Sequence, residues 1–140
     1  MAATESTAGK VAFELVSPER LLFSAAVDMV VVPGTEGDFG VLPGHALFLS
    51  SVRPGVIDVY NKGTVTDRIF IGGGFAEVTP ERCTVLADLA TPVADLKRDE
   101  IEAKLRDARE DVADAKDDAG RKAAEREVAV FEAMLAVCRV

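Results

Sequence analysis

The hydrophobic positions of this chain follow two different periods, and the change falls near residue 92. From Val11 to Pro92, short runs rich in β-branched and aromatic residues alternate with glycine, proline, asparagine and aspartate. This pattern is typical of strands, because branched side chains pack well on a pleated surface and the intervening residues favour turns. Many such runs at close spacing predict a β-sandwich of short, mostly antiparallel strands. The runs are VAFELVS, VDMVVVP, GVIDVYNKG, TDRIFIGGG and CTVLADL.

Two glycine-containing segments inside this region have different interpretations. Asn61-Lys62-Gly63 separates two strand-like runs and predicts a hairpin turn, since asparagine and glycine tolerate the backbone of tight turns. The run Gly72-Gly73-Gly74 lacks the Gly-Lys-Ser/Thr of a phosphate loop and the GxGxxG of a dinucleotide site. We interpret it as part of a strand, where missing side chains allow close packing of backbone or of an aromatic ring.

Beyond Asp95 the apolar residues recur every three or four positions, which is the period of an amphipathic helix. The segment Asp117–Gly120 interrupts the pattern as a turn would, so the sequence predicts two antiparallel helices. Pro92 marks the join, because proline disfavours helix for the residue before it. The two apolar stripes are Ile101, Leu105, Ala108, Val112 and Ala115, then Ala124, Val128, Phe131, Leu135 and Cys138.

The predicted organisation is a flexible N-terminal extension over residues 1–10, a β-sandwich domain over 11–92 and a helical hairpin over 93–140. Two of the five residues of the first helical stripe are alanine, so it buries little apolar surface. Ion pairs on the helix surface, such as Glu102 with Arg106, add only tenths of a kcal/mol. We therefore expect the hairpin to be weakly held and able to detach from the sandwich.

Composition and charge narrow the class of protein. The chain has 140 residues, of which 49% are hydrophobic, so it can bury a core. Its formal net charge of -8 opposes general binding to nucleic acid. No run approaches the roughly 18 apolar residues of a membrane span, and the start MAATESTAGK lacks the basic and apolar regions of a signal peptide. We predict a cytosolic chain with protein partners, without nucleic acid and without direct membrane insertion.

Candidate catalytic and metal-binding residues are sparse. His45 is the single histidine and has no partner at the spacing of a catalytic triad, which leaves a structural hydrogen bond or a polar contact at an interface. Cys83 and Cys138 show no CxxC or Cys/His spacing, so we interpret them as structural thiols. The sequence predicts no active site, no cofactor, no nucleotide site and no metal.

The segment from Val31 to Ile57 contains several glycine and proline turns between short apolar runs. Its ionisable residues Glu36, Asp38 and His45 are expected to face solvent or a partner, because polar loop backbone resists burial. Acid and base chemistry by the two carboxylates would require a cleft and matched pKa values, and solvated loop charges are the simpler interpretation. The segment therefore predicts a docking surface.

This segment, the later IGGGFAEV, the TVLAD of residues 84–88 and the trailing helical pair strongly resemble the epsilon subunit of bacterial-type rotary (F-type) ATP synthases. The resemblance extends from residue 11 to about residue 135, and the mitochondrial counterpart, delta, is similar. It implies a non-catalytic rotor subunit of the central stalk in a proton-driven ATP synthase. The sandwich of such a subunit binds gamma and rests on the polar loops of the c-ring. The implied location is peripheral, on the cytoplasmic face of the bacterial inner membrane.

The resemblance also assigns expected contacts. The family's acidic contact with the c-ring would fall on Asp38, with Glu36 beside it, and the histidine of its GHA turn on His45. These three residues would lie at the interface with the c-ring and gamma. In many members the hairpin extends along gamma into the alpha/beta catalytic head and blocks ATP hydrolysis. The cations expected to take part in such regulatory contacts are Arg98, Arg106, Arg109, Arg121, Lys122 and Arg126, with an ordinary solvated helix face as the alternative.

One segment departs from the family pattern. Several bacterial members bind ATP through Ile/Leu-Asp-x-x-Arg-Ala; here Leu96 matches, but Lys97, Glu100 and Ile101 stand where Asp, Arg and Ala are expected. A carboxylate in place of the arginine removes a phosphate donor and adds repulsion, so we predict weak or no ATP binding. Three alternatives stay open. They are a coupling subunit that inhibits weakly, an ATP-sensing regulatory module, and a small hydrolase or carbohydrate-binding sandwich.

Overall fold

The computed structural model of the protein describes residues 9–138. The polypeptide divides into two compact units, of which the first ends at Thr91 and the second begins at Pro92. The predicted fold class, a β-sandwich followed by a two-helix hairpin, is confirmed. Most of the predicted N-terminal extension, residues 1–8, lies outside the described residues.

The first unit is built from strands that follow the apolar runs of the sequence. The strands are β1 (Val11–Val16), β2 (Leu21–Val27), β3 (Met29–Gly34), β4 (Gly37–Val41), β5 (Phe48–Asn61), β6 (Thr64–Val78), β7 (Arg82–Ala87) and β8 (Ala90–Pro92). Their order in the sheet is β2-β1-β7-β6-β5-β3-β4, and β8 pairs with β6. Neighbours along this path are antiparallel, as predicted, except that β1 and β7 are parallel.

Two of these strands are longer than the short runs that the sequence suggested. β5 has 14 residues and β6 has 15, because β5 continues through Pro54 and Gly55 and β6 continues through its glycine run. The first part of β5 pairs with the last part of β6, which also pairs with β7. The second part of β5 pairs with β3. The long strands therefore connect the β1, β2 and β7 side of the sheet with the β3 and β4 side.

The glycine run of β6 is strand, as predicted, and permits a close backbone approach. Gly73 and Gly74 have φ angles of +103° and +155°, which side-chain-bearing residues rarely adopt. A Cβ atom on Gly74 would lie 2.0 Å from the carbonyl oxygen of Leu86 on β7. Only glycine fits there, which explains why a conformationally costly residue interrupts the longest strand.

The core consists of the inward side chains of these strands. Burial alternates strictly along β1, as expected for a strand with one covered face. Cys83 is buried among the core residues, and burial raises the pKa of its thiol to about 12. It is therefore a structural thiol, as predicted. The largest fully buried side chains are Phe13, Phe70, Leu15, Ile57 and Ile71.

The predicted hairpin turn joins β5 to β6. Lys62 and Gly63 both have positive φ, at 54° and 75°, and Asn61 pairs with Thr64 across the turn. The backbone N–H of Lys62 donates to a carboxylate oxygen of Asp28 at 2.6 Å, which attaches this turn to the junction of β2 and β3.

The second unit begins with one 3₁₀ turn, Val93–Asp95, followed by α1 (Arg98–Asp114) and α2 (Asp118–Val137). The predicted turn at residues 117–120 is displaced, because Asp117 is the N-cap of α2 and its side chain accepts from the backbone N–H of Gly120 at 2.7 Å. Because an aspartate at the N-cap position stabilises the start of a helix, residues 118–120 belong to α2 and not to the turn. Among the described residues, no helix is long and apolar enough to cross a membrane.

An ion pair joins the two helices, whereas the pair expected from the sequence lay within α1. In the part of the sequence that the structure describes, no ion pair joins Glu102 and Arg106; instead Arg109 of α1 pairs with Glu132 of α2 at 3.1 Å. At the open end of the hairpin, Arg98 donates to the carbonyl oxygen of Cys138 at 3.1 Å. The Cys138 thiol in turn donates to the carbonyl oxygen of Leu96 at 3.5 Å. These bonds tie the end of α2 to the start of α1.

Candidate interaction surfaces

The hairpin turn between β3 and β4, residues 34–38, carries two of the predicted interface residues, and we call it the β3–β4 tip. Gly34 pairs with Gly37, whose φ is +131°, and a Cβ on Gly34 would lie 2.7 Å from the Gly37 oxygen. The two glycines thus allow a tight turn. The backbone N–H of Thr35 donates to the carbonyl oxygen of Ser51 at 3.0 Å, so the tip is attached to β5.

The two carboxylates of the β3–β4 tip have different surroundings. Glu36 is exposed and forms no ion pair with any residue from 9 to 138. Asp38 is also exposed, but its Oδ1 lies 2.5 Å from Nη2 of Arg53 on β5. Sequence reasoning missed this pairing, because the two residues are 15 positions apart in the sequence. They also lie on strands β4 and β5, which are not neighbours, since β3 lies between them in the sheet.

The loop between β4 and β5, residues 42–47, holds the third predicted residue. Gly44 has a φ of +81°, and its N–H donates to the carbonyl oxygen of Pro80 at 2.9 Å. Nδ1 of His45 lies 2.6 Å from the carbonyl oxygen of Ala46, a geometry that fits donation from the ring. His45 thus makes a local hydrogen bond within the loop. Leu42 and Leu47 of this loop are exposed by 56% and 76%.

Aromatic contacts connect this loop with β4. The rings of Phe39 and Phe48 pack edge to face with centroids 5.0 Å apart, and the His45 ring centroid lies 6.2 Å from that of Phe48. Phe48 thus contacts both the ring of Phe39 on β4 and the ring of His45 in the loop. Phe39 itself packs against the core, so these ring contacts fix the loop with His45 to β4.

A further surface was missed by sequence reasoning. Leu49, Phe75 and Leu86 project from β5, β6 and β7 and are exposed by 62%, 46% and 45%; we call them the apolar face. In register, Phe75 lies opposite Ser51 and Leu86, while the neighbouring row pairs Glu77 with Leu49 and Thr84. Together with Glu77 and Thr84 they line a shallow depression of about 300 Å³.

The sequence did contain a signal for the apolar face. A strand with one wet face should alternate apolar and polar residues, yet Phe48-Leu49 and Val85-Leu86 place apolar residues at successive positions. One member of each pair must then point outward. Exposed apolar residues grouped in this way mark interaction surfaces.

The predicted regulatory cations of the hairpin fall into two groups. Arg98, Arg109 and Arg121 are engaged within the second unit, with Cys138, Glu132 and Asp118 respectively. The others are exposed and form no ion pair with the residues that the structure describes. These are Arg106, Lys122 and Arg126.

A groove of about 510 Å³ lies between α1 and α2, but its charges are balanced. Arg106 and Arg109 line it together with Glu102 and Glu110, so it offers no excess of positive charge to a polyphosphate. In the segment that departs from the ATP-binding pattern, Nζ of Lys97 lies 3.9 Å from a carboxylate oxygen of Glu100. Among the described residues, no group of His, Cys, Asp and Glu side chains is arranged to hold a metal ion.

A sandwich with an exposed apolar face and an acidic tip, followed by an amphipathic helical hairpin, is the arrangement of a protein that binds other proteins. The family of the ATP synthase delta/epsilon chain β-sandwich domain matches residues 10–93, and the family of the C-terminal domain of the ATP synthase epsilon chain matches residues 97–139. The protein therefore belongs to the ATP synthase epsilon chain family, as the motifs indicated. Members are accessory subunits, so it is not a catalytic subunit.

Relatives and solved structures agree with this assignment. The ATP synthase epsilon chain of Rhodospirillum rubrum is 56% identical over 124 residues, covering 89% of this chain and 92% of that one. The epsilon chain of Maricaulis maris is 56% identical over 130 residues, covering 93% and 97%. A chain in the mitochondrial ATP synthase of Euglena gracilis, solved with OSCP, F1 and c-ring, has the same fold, with a TM-score of 0.79 and 23% identity over 99% of this chain and 88% of that one.

Proposed function

We propose that this protein is a rotor subunit of the central stalk, which fastens gamma to the c-ring of a proton-driven ATP synthase. The observation that carries this proposal is the apolar face of the sheet. The family assignment supplies the kind of complex, and a solved neighbour from Tetrahymena thermophila belongs to a central stalk and c-ring assembly. In this proposal the complex sits on the cytoplasmic face of the bacterial inner membrane, and the protein is peripheral to it.

The apolar face is the proposed site for gamma. Covering three half-exposed side chains at about 1 kcal/mol each contributes about 3 kcal/mol to association. That contribution corresponds to roughly a hundredfold in affinity. Its polar neighbours Glu77 and Thr84 would form the rim that fixes orientation.

The β3–β4 tip and the loop with His45 are the proposed site for the polar loops of the c-ring. The tip is exposed, acidic and fixed to β5, so it can meet a cationic loop without a large ordering cost. The hairpin is the proposed regulatory element, which restrains ATP hydrolysis through contacts of its unpaired cations with the alpha/beta head. Arg106, Lys122 and Arg126 are the members of the predicted set that remain available for this role.

Reconstitution with purified gamma tests the central proposal. Size-exclusion chromatography of the mixture should show a stoichiometric complex, and Phe75→Asp should weaken it about tenfold or more by burying a charge at the interface. Leu21→Asp is the matched control, since Leu21 on β2 is exposed by 55% and lies outside the apolar face and the docking loops. Thermal melting shows whether each variant remains folded.

The outcomes separate the parts of this proposal. A natural protein that does not bind gamma would remove the rotor function. A complex that tolerates Phe75→Asp as well as Leu21→Asp would keep the function but exclude the apolar face as the gamma site.

A further inference from the structure

Arg53 joins three parts of the docking region. From its place on β5, its Nη1 donates to the carbonyl oxygen of Gly34 and its Nη2 to Oδ1 of Asp38, both at 2.5 Å. One guanidinium therefore bonds to the last residue of β3 and to the second residue of β4. A planar fork with several fixed donors suits two acceptors at once, which a lysine ammonium would not match.

The bonds of Arg53 add to backbone contacts at the same place. Gly34 pairs with Val52 on β5, and the N–H of Thr35 donates to the carbonyl oxygen of Ser51. Both ends of the tight turn are thus attached to one strand, and Glu36 lies between these attachments at the outermost part of the turn. These contacts hold the chain on both sides of Glu36.

The same pairing changes the charge that the tip presents. Asp38 has a cation at 2.5 Å, so its charge is largely compensated within the protein. Glu36 has no such partner among residues 9–138. A cationic group that approaches the tip meets uncompensated negative charge at Glu36 and a neutral pair at Asp38.

We propose that Arg53 is a positioning residue for docking, that Glu36 makes the contact with a cationic loop of the c-ring, and that Asp38 acts through Arg53. This inference rests on the proposed function, because it assumes that the tip meets the c-ring. It differs from the family resemblance, which places the acidic contact on Asp38 with Glu36 beside it: here Glu36 contacts the partner and Asp38 holds the turn.

Binding of the complex of gamma and this protein to c-rings in nanodiscs tests the proposal. Glu36→Gln should lower affinity about twofold to fivefold at low salt, as expected for an exposed ion pair, and should reduce the salt dependence of binding. Glu81→Gln, an exposed carboxylate outside the tip, is the control and should change neither.

A charge exchange distinguishes direct contact from positioning. Asp38→Arg alone places two arginines together, and Arg53→Asp alone places two aspartates together, so each should weaken docking. The double variant D38R/R53D restores an opposite-charge pair with the same net charge, and it should recover at least half of the affinity that D38R loses. If residue 38 instead contacts a cation of the c-ring directly, the arginine in the double variant repels it and no recovery occurs.

Each result bears on the inference. Unchanged affinity and salt dependence of binding in Glu36→Gln would overturn the inference. This measurement does not depend on whether the double variant D38R/R53D folds. Recovery by D38R/R53D, with thermal melting that matches the natural protein, would support it. A natural complex that fails to bind c-rings at all would overturn the proposed function together with the inference.

Discussion

Nζ of Lys10 lies 2.6 Å from Oδ1 of Asp28, an ion pair that joins the residue before β1 to the junction of β2 and β3. The other oxygen of the same carboxylate accepts the backbone N–H of Lys62. The hydrogen bonds from Lys10 and Lys62 lower the pKa of Asp28 below its ordinary value of 3.8. One carboxylate therefore connects three separate segments of the sandwich.

The first prediction concerns pH and this carboxylate. A group whose pKa is lower in the folded state than in the unfolded state stabilises the fold at pH values above the unfolded value, and its contribution is lost as pH falls through the folded value. Asp28→Asn should therefore lower the melting temperature at pH 7, and the difference should shrink as pH drops below 3.8. Calorimetric melting at several pH values measures this.

Asp67→Asn is the control for that experiment, since Asp67 lies on β6 and forms no ion pair with the described residues. A difference between Asp28→Asn and the natural protein that stays constant down to low pH would contradict the assignment of the lowered pKa.

The second prediction concerns the glycine run of β6. Gly74→Ala should destabilise the sandwich by about 2–4 kcal/mol, because the added Cβ would meet the carbonyl oxygen of Leu86 while the backbone remains strained. Gly63→Ala separates the two causes, since it has a positive φ but nothing within 4 Å of its Cβ, and it should cost about 1–2 kcal/mol. Urea unfolding of both variants gives the comparison, and equal losses would show that the close approach does not matter.

The third prediction concerns regulation by the hairpin. Removing residues 95–140 should raise ATP hydrolysis by the complete complex, if the hairpin restrains the catalytic head as proposed. The triple change Arg106→Ala, Lys122→Ala and Arg126→Ala should give part of that rise while leaving the internal bonds of Arg98 and Arg109 intact. A complex whose hydrolysis does not change on truncation would favour a subunit that couples rotation without inhibiting.

The fourth prediction concerns ATP. Calorimetric titration of the isolated protein should detect weak or no binding, because Glu100 replaces a phosphate-binding arginine and the interhelical groove is not cationic. The double change Lys97→Asp and Glu100→Arg restores two family residues at the same net charge, so it should bind ATP more tightly than the natural protein. Micromolar affinity of the natural protein would contradict this prediction.

Local signals accounted for most of the fold. Turn residues at Asn61 to Gly63, branched runs, and the spacing of the helical stripes each depend on neighbours a few positions away, so one sequence was enough to interpret them. The start of α2 was misplaced because Asp117 and Gly120 suit a turn as well as an N-cap, and only the hydrogen bond between them decides.

Features that depend on strand pairing could not be predicted from residues close together in the sequence. The bond of Asp38 with Arg53 and the grouping of Leu49, Phe75 and Leu86 arise from the order and register of strands in the sheet. Burial of Met134 was also missed, since it lies beside the predicted stripe of α2 and its burial depends on packing around the helix. The candidate surfaces were thus located roughly from sequence, but their charge balance required the three-dimensional arrangement.

The parallel pairing of β1 with β7 has a consequence for biosynthesis. Phe13 of β1 lies in register with Cys83 of β7. Because β1 is translated first, it lacks β7 as a neighbour until nearly the whole sheet domain has been translated. Until then its edge can pair with other nascent polypeptides, and closing so large a loop is slow. We expect cotranslational folding to complete only after β7 emerges, which makes that interval the period in which a chaperone would matter most.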